Sequence, residues 1–202
     1  MRVLACGERA VLVEVVDSDA ALALYRSLRE DPPPGLVDVV PAARTVLVTV
    51  DDVAHLPSGE RLAALAAGPV REQPPRTVDI PVVYDGPDLP EVAELARLDR
   101  RDVVRRHRDA AYTVGFIGFA PGFAYLTGLH PSLHVARRDT PRTRVRRGAV
   151  AIAGPYTGVY PTESPGGWRI IGHTDLLLWD LSAQPPALLR PGDRVRFVEV
   201  DW

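Results

Sequence analysis

Six arginines crowd into eleven residues at 137–147, where the order Ala-Arg-Arg-Asp-Thr-Pro-Arg (136–142) opens the run. A planar guanidinium grips phosphate or carboxylate through two parallel hydrogen bonds, so Arg137, Arg138, Arg142 and the more distant Arg169 are candidate anion holders. The competing reading is salt bridging to Asp139, Glu163 and Asp175, or plain solvation. Glu163 and Asp139 are candidate general bases for water, though spacing fixes a partner for neither. His173 is a candidate base or phosphate contact and equally a candidate structural histidine. The arginine run lies between two phrases, 112–126 and 160–174, that interleave glycine, proline and aromatics. Residues 115–172 hold 10 of the 16 glycines, and residues 112–168 hold 8 of the 13 aromatics, a concentration that specifies bends with exposed backbone amides beside flat apolar walls. Phe119, Pro121, Gly122 and Phe123 line an apolar pocket or face a partner. Tyr125 and Tyr160 donate phenolic hydrogen bonds into a groove or lie buried with their hydroxyls satisfied. Ser164, Gly166, Gly167 and Trp168 read as a tight loop with the indole as a wall.

Composition removes several chemistries. All 24 basic residues are arginine, so there is no Schiff-base lysine, no phosphate-loop lysine and no lysine to carry biotin. Any bound nucleotide must be held by arginine or by backbone amides. No Gly-x-Ser-x-Gly elbow supports a serine hydrolase. His130 and His134 stand four apart, but without a third ligand nearby no metal is expected. A net charge of −2 argues against general nucleic-acid binding, and the arginines of 100–108 read as a solvated helix face. Cys6 is alone, which excludes a disulfide framework and suggests a small buried hydrophobe. No run is long enough to span a membrane, and Arg2 and Glu8 bring charge too early for a secretory signal, so the expected location is cytoplasmic.

The elements that must position these residues fall into two parts. In residues 1–75 strands are expected at 3–6, 10–16, 36–40 and 45–50. Helices are expected at 19–29, capped by Ser18, and at 58–67. This is an α+β domain of ferredoxin-like character. The proline-rich piece 71–76 marks the boundary. Residues 76–202 begin with a strand at 77–84, where Pro81 implies an edge or bulge. Helices follow at 90–98 and 99–108, then short strands at 113–116, 149–153, 157–160, 169–171, 176–179 and 194–200. Many short strands with Gly/Pro punctuation point to a closed or nearly closed β-barrel.

Four phrases in order, at 115–126, 136–142, 148–154 and 160–174, together with Leu-Arg-Pro-Gly-Asp-Arg-Val-Arg-Phe at 189–197, resemble the family of the 5-oxoprolinase B subunit, also called allophanate hydrolase subunit 1. A sporulation histidine-kinase inhibitor belongs to the same family. The chain departs from the family pattern at Ala136, at Arg146, Arg147 and Ala149, and at His173. The resemblance implies a ferredoxin-like domain followed by a cyclophilin-like barrel. It also implies two partners, a larger carboxyltransferase-like subunit and a third subunit of 5-oxoprolinase, and ATP-driven opening of the 5-oxoproline lactam to glutamate. ATP with magnesium is then the implied cofactor, bound at a shared site. Its phosphoryl charge would be met by Arg137, Arg138, Arg142 and Arg169 with the amides of Gly118, Gly122, Gly166 and Gly167. Two other roles stay open: inhibition of a sensor histidine kinase, and membership of an allophanate hydrolase or urea carboxylase-type carboxyltransferase.

Overall fold

A computed structural model describes residues 1–68 and 75–201, so the expected boundary at 71–76 lies outside the described residues except for Pro75 and Arg76. The chain divides into two units, Met1–Pro74 and Pro75–Trp202.

The first unit runs β1 (Arg2–Ala5), β2 (Ala10–Glu14), α1 (Ser18–Glu30), β3 (Leu36–Pro41), β4 (Thr45–Val50) and α2 (Gly59–Ala67). Its antiparallel sheet has the order β1-β2-β4-β3. Alternate residues of β2 and β4, Val11, Val13, Val46 and Val48, bury one face against Leu24, Leu28 and Leu62 of the helices. The element order ββαββα is the one the sequence predicts; it differs from the βαββαβ order of a ferredoxin-like unit. Two local expectations are corrected. Asp17, not Ser18, caps α1: its carboxylate accepts the Ala20 N–H at 2.8 Å, while the Ser18 hydroxyl donates to the Ala43 carbonyl. Cys6 is exposed, because it follows an edge strand whose four residues are all exposed.

The second unit contains β5 (Thr77–Val82), α3 (Leu89–Ala96), α4 (Arg100–Arg108), β6 (Tyr112–Ile117), β7 (Ala124–Thr127), β8 (Arg142–Val145), β9 (Ala149–Ala153), β10 (Tyr156–Val159), β11 (Ser164–Gly166), β12 (Arg169–His173) and β13 (Arg194–Glu199). Seven strands form one mixed sheet, β12-β9-β10-β7-β6-β13-β5, parallel only between β13 and β5. Its two ends meet: Val83, just past β5, exchanges backbone hydrogen bonds with His173 of β12 at 2.9 and 3.0 Å. The sheet is thus a nearly closed barrel, filled by Ile80, Val82, Val114, Leu126, Ile152 and Ile171. Pro81 is tolerated because β5 is the last strand of the order. β8 and β11 make a separate two-stranded ribbon. The strand expected at 176–179 does not form; Trp179 makes only an isolated bridge to Ala187.

Strand β9 shows how one sequence serves two layers. All five residues of Ala-Val-Ala-Ile-Ala are buried. Val150 and Ile152 point into the barrel core, whereas Ala149, Ala151 and Ala153 lie under a second cluster containing Phe123, Tyr160 and Trp168. The small alanines leave room for the rings.

Closure depends on glycine at 172. A Cβ there would lie 2.4 Å from the Val83 carbonyl oxygen, which the backbone pairing holds in place. We expect Gly172→Ala to destabilise this unit by about 1–3 kcal/mol, the usual cost of overpacking, read as a lowered urea midpoint.

His107 of α4 is fully buried between Tyr112 and Phe197. Its Nε2 lies 2.8 Å from Thr157 Oγ1, which already donates to the Ala151 carbonyl, and its Nδ1 lies 2.8 Å from the Tyr84 hydroxyl. The imidazole therefore carries its proton on Nε2 and accepts from Tyr84 on Nδ1. Burial pushes its pKa down to about 3. The unfolded chain, with histidine near 6.5, takes up the proton first, so stability is full above about pH 6.5 and declines as pH falls toward 3. His107→Gln should flatten the acid limb of a urea-midpoint-versus-pH profile by up to about 1.4 kcal/mol per pH unit; an unchanged slope would show that His107 does not set it.

Candidate functional site

The arginines of the first signature loop are organised by a residue that no sequence motif singles out. Asp88, 3% exposed, stands immediately before α3 in the position of a helix cap, yet its side chain makes no capping bond. Instead Oδ1 accepts from Arg138 Nη1 at 3.0 Å and Arg142 Nη2 at 2.7 Å, and Oδ2 accepts the Ile170 N–H of β12 at 2.7 Å. Burial alone would push this carboxyl up; the Arg142 guanidinium, the Ile170 amide and the Arg138 charge hold it below the ordinary carboxylate range. Glu91, one turn into α3, lies 3.6 Å from Arg138 and 2.5 Å from Arg169 Nη1, an ion pair out of hydrogen-bond alignment. Arg169 Nε donates to the Ala136 carbonyl at 2.9 Å. Salt bridging thus does occupy Arg138, Arg142 and Arg169, but with Asp88 and Glu91 rather than Asp139, Glu163 or Asp175. The pairing is incomplete, because Arg138 Nε and Arg142 Nη1 are buried without a partner.

The second signature loop is tied to the first through backbone, with the Arg138 N–H donating to the Gly167 carbonyl at 2.8 Å. Gly166 must be glycine, since a Cβ would fall 2.2 Å from the Tyr160 hydroxyl oxygen. Around these loops the aromatics form one cluster of edge-to-face pairs. Phe123 meets Tyr160 at 5.3 Å and Trp168 at 5.4 Å between ring centroids, and Tyr125 meets Trp168 at 5.4 Å and stacks on Phe116 at 4.3 Å. Tyr160 and Trp168 are buried, as are Phe123 and Gly122, the latter against Trp179. Burial pushes the Tyr125 and Tyr160 phenols up, and the exposed Arg137 offsets part of this at each, so both rings remain protonated donors at neutral pH.

Phe119 differs from its neighbours. It is 63% exposed, sits at φ +69° and is spanned by a hydrogen bond from the Ala120 N–H to the Gly118 carbonyl at 2.8 Å. This is the rare, strained form of γ-turn, and it holds a large apolar ring outward at the edge of the cluster, beside the exposed Pro121. The candidate bases do not converge on the cluster. Glu163 pairs with Arg144 at 2.6 Å on the surface, Asp139 is exposed, and Ser164 Oγ is buried without a partner. His173 Nδ1 lies 2.8 Å from Asp85 Oδ1, which orients the ring. Among the described residues no group of three His, Cys, Asp or Glu could hold a metal ion, and no helix is long and apolar enough to cross a membrane.

Fold and site define the class: an α+β protein whose barrel-like sheet carries an aromatic face bordered by carboxylate-anchored arginines. The chain belongs to the family described as carboxyltransferase domain, subdomain C and D, whose model matches residues 1–189. It is 44% identical to the B subunit of 5-oxoprolinase from Escherichia coli O157:H7 over 82% of this chain and 78% of that one. It is 40% identical to the Bacillus subtilis (strain 168) protein of the same name over 86% of this chain and 79% of that one. Among solved structures, the crystal structure of TTHA0988 matches with a TM-score of 0.80 at 42% identity, covering 96% of this chain; the chain spans only 40% of that longer one. The K. lactis urea amidolyase shares the fold, with a TM-score of 0.70 at 22% identity over 98% of this chain and 15% of its own length.

Removing Asp88 leaves two guanidiniums and a backbone amide without their acceptor. Asp88→Ala should therefore cost about 3–5 kcal/mol of stability, whereas Glu163→Ala, which breaks an exposed pair, should cost less than about 1 kcal/mol; urea unfolding of both variants checks the contrast.

Proposed function

We propose that the chain is the smaller subunit of an ATP-dependent 5-oxoprolinase that opens the 5-oxoproline lactam to glutamate, working in the cytoplasm with a larger carboxyltransferase-like subunit and a third subunit. The observation that carries this reading is the resemblance to two proteins named as the B subunit of 5-oxoprolinase over more than four-fifths of the chain, 82% and 86%. The site agrees with a shared cleft. It offers guanidiniums, a phenol and apolar walls on one face and, among the described residues of this site, no nucleophile paired with a base; in this reading the chain alone has little or no activity.

An unstrained amide carbonyl is a poor electrophile, and bound ATP supplies its activation. The residues present fit the anionic part of that cofactor, because Arg138 Nε and Arg142 Nη1 are buried donors without acceptors. They do not supply a magnesium site, so in this reading the ion is held by phosphates and by partner subunits. Arg138 and Arg142, fixed by Asp88, bind and neutralise developing negative charge, with Arg137 and the amides of Gly118, Gly122, Gly166 and Gly167 as further donors. The half-buried Tyr125 donates toward substrate oxygens, while Tyr160, Trp168 and Phe123, all buried, back its ring and exclude water. Of the candidate bases, His173 is the one oriented by a carboxylate and so the one suited to hold a proton.

The exposed, strained Phe119 favours a second reading, in which this face docks on a sensor histidine kinase. A carboxyltransferase role of the urea carboxylase type would need biotin on another chain. Mixing the purified chain with its cognate partner subunits should give ATP-dependent glutamate release from 5-oxoproline, with Trp168→Ala and Arg138→Ala lowering the rate tenfold or more, about 1.4 kcal/mol of transition-state stabilisation. Absence of activity from the full set, with Phe119-dependent loss of kinase autophosphorylation, would transfer the assignment to the inhibitor.

A further inference from the structure

The barrel unit holds a pocket of about 300 Å³ whose wall includes Arg142, Arg144, Arg146, Arg147, His173 and Asp85. Its rim is made of backbone that the fold holds firmly: β8, the turn leading into β9, the end of β12 and the loop after β5. The Val83–His173 pairing that closes the barrel also fixes two sides of the pocket, since His173 is one of the pair and Asp85 follows Val83 by two residues.

The charges on this wall do not balance within the chain. Arg142 uses Nη2 on Asp88, and its Nη1 is buried with no partner. Arg144 pairs with Glu163, and His173 with Asp85. The guanidiniums of Arg146 and Arg147 make no hydrogen bond or ion pair among the described residues, and both residues are exposed. Asp85 is the one carboxylate on the wall among the described residues, and it faces an imidazole rather than a guanidinium. Arg142 and Arg144 alternate along β8 and so project from the same face of the ribbon, and Arg146 follows at the same interval. Like charges gathered around one cavity repel one another unless an anion sits among them. A merely solvated surface patch would not include a buried guanidinium nitrogen lacking an acceptor.

We propose that this pocket binds a phosphoryl group, either as free inorganic phosphate or on a small phosphate ester. Guanidiniums gathered on one pocket suit a phosphate, which carries three or four oxygens and up to two negative charges on a single tetrahedral centre, whereas a dicarboxylate of equal charge spreads its four oxygens over two separate planar groups. The volume suits an ion or a small ester. The pocket shares Arg142 and His173 with the lactam reading and rests on it to that extent; Arg144, Arg146 and Arg147 are its own, and binding by this chain alone is measured whether or not a complex turns over 5-oxoproline.

Calorimetric titration of the purified chain with inorganic phosphate, glycerol 3-phosphate and malonate tests it at low and raised chloride. Saturable binding of at least one phosphate ligand is expected, weakened by salt, with malonate at least tenfold poorer. The tighter of the two phosphate ligands identifies the source. The paired variant Arg146→Ala with Arg147→Ala should lose tenfold or more in affinity while keeping the native thermal midpoint, since neither side chain has an internal partner. Arg146→Gln with Arg147→Gln, which keeps polar side chains, provides the same test if the alanine pair folds poorly. No saturable phosphate binding, undiminished binding in the folded variants, or malonate binding as tightly as phosphate would each overturn the proposal.

Discussion

A single buried carboxylate decides how the functional face of this protein is arranged. Asp88 accepts from two guanidiniums fifty residues further along the chain and from a barrel-strand amide, and none of these donors is local to it. Asp88 is nearly cut off from water, and such a carboxylate is stable only when its lone pairs are filled; the partly exposed Arg138 and Arg142 and the Ile170 amide fill them. The outcome is that a surface loop, 136–142, is held against α3 and β12 with the precision of a core element. Guanidiniums whose remaining nitrogens lack acceptors are thereby presented in fixed positions rather than on flexible stems.

The aromatic face depends on a different constraint, the thickness of the barrel wall. β9 is buried on both sides, with branched residues inward and alanines outward. That division lets Phe123, Tyr160 and Trp168 pack directly on the sheet instead of standing off it. Rings interlocked edge to face move little, so apolar walls and phenolic donors are pre-organised. Phe119 alone is pushed outward, by a turn that costs backbone strain and is held between Gly118 and Phe123, whose backbones also hydrogen-bond at 3.1 Å. Strain of this kind persists only where the surroundings over-determine it, and here it leaves an apolar ring available to a partner.

Arginine as the sole basic residue type gives the unit a consistent electrostatic character. Guanidiniums stay charged through any accessible pH, so the network around Asp88 and Glu91 changes with ligand or partner rather than with proton uptake by its arginines. Among the described residues, burial holds His107 neutral inside the barrel unit, and the neighbouring guanidiniums hold the Asp88 carboxyl below the ordinary carboxylate range.

Much of this is legible in the sequence. Strand β9 stands out over its whole span, helices α2, α3 and α4 to within two residues, and the barrel through its short strands and their punctuation. These elements rest on local periodicity and on glycine and proline, whose backbone restrictions act wherever the residues stand. The signature loops likewise mark Arg138, Arg142, Tyr160 and Trp168 as one region. What the sequence does not reveal is the partner of each group. Asp88 lies outside the signature phrases and carries no mark in the sequence, and Ser18 reads as the cap of α1 where Asp17 is the cap. Cys6 reads as core, although its strand lies on a sheet edge. The strands β7, β8 and β11 escape notice, because three or four residues carry too little periodicity to stand out. Local sequence sets which conformations are cheap, but which carboxylate meets which guanidinium depends on barrel closure, which brings residue 88 beside 138, 142 and 170. That is a long-range contact whose energy exists only once the sheet has formed.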